Sequence, residues 1–238
     1  MPRRYWFILL TYILVQLSAI VGAPLLLLLD VPREQIPGVW SLISFTIGLI
    51  IVVFLLRPEI TNRHLDRNRS SRSQAILWSI LGIFMAFAAQ YAAAVIEMIL
   101  FGIEPGSENT EVIVEFAKVT PMFIIVIAVI GPILEEIVFR MVIFGALYKR
   151  FNFWIAVLGS SILFAVVHMD FTHLLVYTAM GFVFAYLYVK TKRIIVPIIA
   201  HVAINSFVVL VQVVFGERLA ELQDQLEQIQ SFIGGFFV

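Results

Sequence analysis

Cysteine is absent from the 238 residues, which excludes disulfides, thiolate metal centres and a cysteine nucleophile. Charge is scarce: 13% of the residues are Asp, Glu, Lys or Arg, and their formal sum is zero. A soluble domain carries ~25%. That shortage excludes a soluble enzyme, a nucleic-acid binder and a disordered scaffold. Internal repeats and low-complexity tracts are absent as well. The period-2 alternation of a membrane β-barrel is also missing, because stretches such as 25–29 and 49–56 are apolar on every side. What remains is 61% apolar, with a mean hydropathy of +1.01.

The chain therefore reads as an all-α polytopic membrane protein, since lipid leaves no partner for open backbone groups. A spanning helix needs ~20 apolar residues. About seven segments qualify: 5–29, 39–56, 75–103, 121–148, 154–169, 171–189 and 194–215. Six or eight would result if a half-helix or re-entrant segment is among them. The first follows Arg3 and Arg4 like a signal peptide, but its apolar run is too long and continues past Pro24, so it reads as a retained helix. Residues 1–120 form N-terminal helices and loops, 121–215 a core that carries the chemistry, and 216–238 a tail. In the tail, Leu219, Leu222, Leu226 and Ile229 make one apolar stripe, suited to a membrane surface or another chain.

Basic residues set the orientation. With the N-terminus inside, Arg3, Arg4, Arg57, Arg63, Arg67, Arg69, Arg72, Lys149, Arg150, Lys190, Lys192 and Arg193 all fall inside. Arg33, Lys118 and Arg218 fall outside, and Arg140 lies within the membrane. The expectation is a plasma-membrane protein with a cytoplasmic N-terminus. The arginine-rich stretch 57–74 and the glutamate-bearing stretch 104–120 both read as solvated loops.

Hydrocarbon should have removed polar side chains, so those that remain carry information. A charge near the bilayer centre costs ~2.5–3.5 kcal/mol on insertion scales. Segment four holds Glu135, Glu136 and Arg140 behind Gly131-Pro132, a kink. Glu136 and Arg140 stand at i and i+4 and can pair. Glu135, ~100° around the helix, is the carboxylate left over. Segment five carries His168, with Phe164 on the same face. Segment seven carries His201 and Asn205 at i and i+4. Counting ~1.5 Å per residue from the inner face puts Glu135 ~20 Å deep, His168 ~21 Å, His201 ~10 Å and Asn205 ~16 Å. The four meet in one cavity if segments four, five and seven are neighbours.

A carboxylate and an imidazole can share the proton of one water molecule, and N–H donors on His and Asn can stabilise an oxyanion. Adjacent carboxylates in unlike surroundings suggest an acid/base group beside a structural one. Taken singly, each feature has a plainer explanation: Glu136 with Arg140 as a structural pair, a membrane histidine as an interhelical hydrogen-bonding group. Gln90 and Glu97 in segment three have no motif around them and sit near the outer interface, while His64 and His173 read as incidental. The joint occurrence on three segments points to chemistry.

Glu135-Glu136-x-x-x-Arg140, Phe164-x-x-x-His168 and His201-x-x-x-Asn205, in that order, resemble the three motifs of the CPBP family, the CAAX-processing and bacteriocin-processing intramembrane proteases. That family includes the type II CAAX prenyl endopeptidases. The likeness covers about 121–215, and each motif gains its specificity from the other two. It implies an intramembrane endopeptidase in which Glu135 and His168 activate water, His201 and Asn205 hold the oxyanion, and Glu136 with Arg140 orients the site. Substrates would be peptides, lipidated proteins or bacteriocin-like chains. The implied mechanism needs no cofactor. One carboxylate with two histidines could bind zinc, but His-Glu-x-x-His is absent and Asn is a poor ligand, so no metal is expected. The expected partners are a peptide or protein substrate and the bilayer, with no nucleic acid; the oligomeric state is open. Two other functions compete. One is a catalytically silent membrane partner in peptide binding, immunity or signalling. The other is a proton-coupled transporter, against which the lack of repeated halves counts.

Overall fold

In the computed structural model, which describes residues 1–62, 68–103 and 106–236, the regular elements are all helices. Helices α1 (Arg3–Leu17) and α2 (Ala19–Leu28) form one apolar pair bent by 45°. Pro24 inside α2 has no N–H for the preceding turn. At the bend the Ser18 hydroxyl donates to the Val15 carbonyl (2.7 Å) and accepts the Trp40 indole N–H (2.9 Å). Gly22 gives that indole its place, since a Cβ there would lie 1.9 Å from the ring.

Helices α3 (Ile36–Leu55) and α4 (Arg57–Asn62) lead to α5 (Arg72–Phe101). A Ser71–Gln74 capping box starts α5, and Gly102 in the left-handed region ends it. The stretch expected to be an outer loop contains a further helix, α6 (Glu108–Val119). Ser107 caps it by accepting the Thr110 N–H, and buried Ala117 packs with Phe123 and Val126. Its apolar positions recur at helical spacing between the glutamates, a signal that the charge count masked.

The rod α7 (123–148) leads to α8 (Phe153–Val167), α9 (Leu174–Thr191) and α10 (Ile195–Phe236). Four helices are long and apolar enough to cross a membrane: Ile36–Leu55, Arg72–Phe101, Leu174–Thr191 and Ile195–Gly216. The bent α1–α2 pair makes five. Two other segments expected to cross are helical too, α8 as a 15-residue apolar helix and α7 as an interrupted rod. Large apolar side chains such as Ile20, Leu28, Phe54, Phe84 and Ile99 cover the outer faces, which suits lipid. The helix of the tail continues to Phe236, but the side chains of its stripe lie outside the described residues, as does His64.

The rod α7 sits at the centre and touches α1, α3, α8, α9 and α10. Its Leu134, Ile137, Val138, Phe139 and Val142 bury against Ile8 and Tyr12 of α1, Val52 of α3 and Phe164 of α8. A second core joins α5, α9 and α10 through Ala86, Phe184, Leu187, Ala200 and Ile204. Segments four, five and seven are therefore neighbours, as the cavity requires.

Candidate active site

Two stretches of α7, Val126–Ile130 and Glu136–Phe144, are widened to π-helical turns, and Gly131–Glu135 between them is α-helical. In a π turn each N–H reaches the carbonyl five residues back. Gly131 N–H accordingly bonds to Val126 O. The next such bond would need an N–H at position 132, which is proline and has none. Ile127 O is left without its backbone donor, and Asn205 of α10 supplies one: its Nδ2 donates to that carbonyl at 3.2 Å. The Gly131-Pro132 kink is thus not a simple bend but a point where a side chain of another helix completes the backbone.

The two glutamates diverge at the junction of the α and π stretches. Glu136 is fully buried, and its Oε2 lies 3.3 Å from Arg140 Nε. Its other oxygen, Oε1, is 2.9 Å from His201 Nδ1. Glu135 keeps 17% of its side chain exposed and lies 3.7 Å from His201 Nε2. His201 therefore sits between the two carboxylates, one on each ring nitrogen. The straight-helix count had placed it ~10 Å shallower than Glu135. A π turn rises less per residue than an α turn, so α7 is shorter than the count assumed, which narrows the offset without closing it.

The Arg140 guanidinium is 1% exposed and boxed by aromatic rings: Phe164 at 4.2 Å, Phe184 at 5.2 Å and Phe139 at 6.0 Å from their centroids. Phe164 also lies 4.5 Å from the His168 ring and 5.9 Å from that of His201. Its carbonyl, 2.7 Å from His168 Nδ1, is an acceptor, so Nδ1 carries the hydrogen. Nε2 is then the atom of His168 that can take a proton. The electrostatic neighbours of His168 are Glu135, His201 and Arg140. Glu135, Glu136, Arg140, His168 and His201 thus form one cluster, and Asn205 reaches α7 beside it through Ile127 O.

Several contributors carried no motif. Phe184 stacks on His201 at 4.7 Å, and Tyr177 stacks on His168 at 4.3 Å. Glu97, near the end of α5, is 2% exposed and bonded to His173, which is therefore not incidental. The clue was available, since an ionisable side chain inside a span signals function by default. Among the described residues, no three His, Asp or Glu side chains gather as a metal's ligands would. Both histidines commit Nδ1 to a protein acceptor, which leaves Nε2 of each ring for chemistry.

A model of the type II CAAX prenyl endopeptidase Rce1-like family matches residues 117–207. "Putative membrane peptidase YdiL" of Bacillus subtilis is 46% identical over the full length of both chains. "Membrane-embedded CAAX protease MroQ" of Staphylococcus aureus is 34% identical over 93% of this chain and 95% of its own. No solved structure gives a comparable match. The matched region contains every one of the six clustered residues. The chain belongs to the Rce1-like type II CAAX endopeptidase family and is an intramembrane protease.

Proposed function

We propose that the chain hydrolyses a peptide bond of a membrane-associated peptide by attack of a water molecule that Glu135 and His168 hold and deprotonate. The observation that carries this reading is the placement of Glu135, the part-exposed carboxylate, within one water's reach of His201 Nε2 in the cluster that holds His168. Glu135 takes one proton of the water while His168 Nε2 accepts the hydrogen bond of the other. The hydroxide oxygen adds to the carbonyl carbon. The oxyanion accepts from His201 Nε2–H and from the second N–H of Asn205, whose first is committed to Ile127 O. As the carbon–nitrogen bond breaks, Glu135 returns its proton to the leaving amine. Glu136 holds His201 through Nδ1 as the buried carboxylate of a catalytic triad holds its histidine, and Arg140 flanks its other oxygen. No metal enters this scheme. The distribution of Lys and Arg supports a cytoplasmic N-terminus at the plasma membrane.

The test uses purified full-length protein in micelles and internally quenched peptides, one farnesylated with a CAAX-type end and one unlipidated and membrane-associated. Cleavage of either, with Glu135→Gln and His168→Ala each at least about a thousandfold slower while folded, is the expected result. Full activity in both variants would refute the scheme.

A further inference from the structure

The turn that delivers His168 is held by side chains that take no part in the chemistry above. Helix α8 ends at Val167, and the chain reverses through Met169, in the left-handed region at φ 56°, to begin α9 at Leu174. His173 precedes α9 but makes no side-chain cap to it. The cap comes instead from α5. Glu97 Oε1 accepts the backbone N–H groups of Leu175 (3.0 Å) and Val176 (3.2 Å), and Oε2 lies 2.9 Å from His173 Nδ1. Asp170 tightens the same turn: Oδ1 accepts the His173 N–H at 3.3 Å and Oδ2 the Ser107 hydroxyl at 2.6 Å. One buried carboxylate thus satisfies two of the orphan donors of a helix start and complements its dipole.

What this turn controls is the imidazole of His168. Its Nδ1 is set by the Phe164 carbonyl, which belongs to α8. Its ring face is set by Tyr177, one turn into α9, with centroids 4.3 Å apart and planes at 29°. The two restraints agree only while the end of α8 and the start of α9 keep their relation, and Glu97 is the third-helix group that fixes it. We propose that Glu97 is a positioning residue of the protease: with His173 it locks the first turn of α9, so that Tyr177 holds the His168 ring in register with Glu135. Its catalytic consequence rests on the role proposed above for His168, but its geometric consequence does not.

The experiment reads the two apart. Full-length protein with 13C-labelled histidine is examined by NMR in micelles, and the His168 signal is assigned by its loss in His168→Gln. The ring current of Tyr177 displaces that signal, and Tyr177→Leu gives the undisplaced position. Glu97→Ala is expected to move the His168 signal toward that position. It should also lower kcat at least tenfold on the farnesylated quenched peptide, with KM within twofold. Glu97→Gln retains an acceptor for the two backbone N–H groups and is expected to restore most of the displacement and the rate. If Glu97→Ala does not fold, His173→Ala and Tyr177→Leu carry the test, and each must lower kcat without raising KM. A His168 signal unmoved in folded Glu97→Ala, or a glutamine variant no better than alanine, overturns the proposal. A wild-type chain inert toward both peptides, with the NMR displacements as described, supports the positioning and ends the water-activation scheme instead.

Discussion

Replacing Arg140 by methionine isolates the energetics at the centre of the fold. Arg140 and Glu136 are 1% and 0% exposed, with Nε 3.3 Å from Oε2. At the effective dielectric of ~20 that suits buried sites, charges at that distance attract by about 5 kcal/mol. The guanidinium adds its cation–π contacts, the closest being Phe164 at 4.2 Å, each about 0.5–2 kcal/mol. Among the described residues its nitrogens make no well-aligned hydrogen bond, so charge and ring contact carry the interaction. Methionine fills much of the same volume but leaves Glu136 buried, with His201 as its remaining polar partner. Breaking a buried pair in this way costs about 3–5 kcal/mol. Glu136→Gln with Arg140→Met removes both charges and is expected to recover at least about half of that loss, because buried pairs are often replaceable by neutral groups. Stability is measured on micellar protein by denaturant titration followed through tryptophan fluorescence, and activity on the quenched peptides. Both variants are expected to be inactive, since His201 loses its carboxylate partner in the second and its setting in the first. An Arg140→Met protein within about 1 kcal/mol of wild type, or a double variant no more stable than the single, would refute the reasoning.

Other expectations follow from the same contacts. Asn205→Leu strips Ile127 O of its donor and is expected to cost about 1–3 kcal/mol and most of the activity; adding Pro132→Ala, which returns an N–H at position 132, should recover the stability in the same titration but not the rate. Gly181 packs on Ser161, where a Cβ would lie 2.7 Å from Oγ and 3.0 Å from the backbone Cα. Gly181→Val should therefore push α8 from α9, costing about 1–3 kcal/mol in that titration and lowering kcat on the quenched peptides. Chelators are expected to leave peptide cleavage unchanged, and activity lost to a chelator and restored by zinc would overturn the metal-free scheme.

The polar positions of the site were legible because hydrocarbon makes them expensive: Glu135, Glu136, Arg140, His168, His201 and Asn205 stand out against an apolar background, and they converge. What periodicity could not show was the path of α7. A π turn leaves no mark in composition, and its cause here is distributed. Pro132 removes a donor within α7, while the replacement comes from Asn205 on α10, in contact with position 127, 78 residues away. Phe164 stands in the sequence as the motif partner of His168, but the motif does not show that its ring covers Arg140 or that its carbonyl fixes the His168 tautomer. Glu97 is visible as a charge in a span but carries no motif. Its partners are backbone N–H groups, which have no sequence signature at all.

The order of charges across the site says why two neighbouring glutamates can coexist in an apolar interior. Side by side and unscreened they would repel, and one would have to be neutral. The structure separates them instead by an alternating row: Arg140, then Glu136, then His201, then Glu135. Glu136 thus lies between the Arg140 guanidinium and the His201 ring, and the His201 ring lies between the two carboxylates. The row is closed at one end, where Arg140 is sealed among phenylalanine rings, and open at the other, where Glu135 keeps a sixth of its side chain exposed. A group that must receive a proton from water has to be in contact with water, which supports the proposed assignment of Glu135 as the base and Glu136 as its support. The assignment reverses if Glu136→Gln abolishes cleavage while Glu135→Gln leaves it intact.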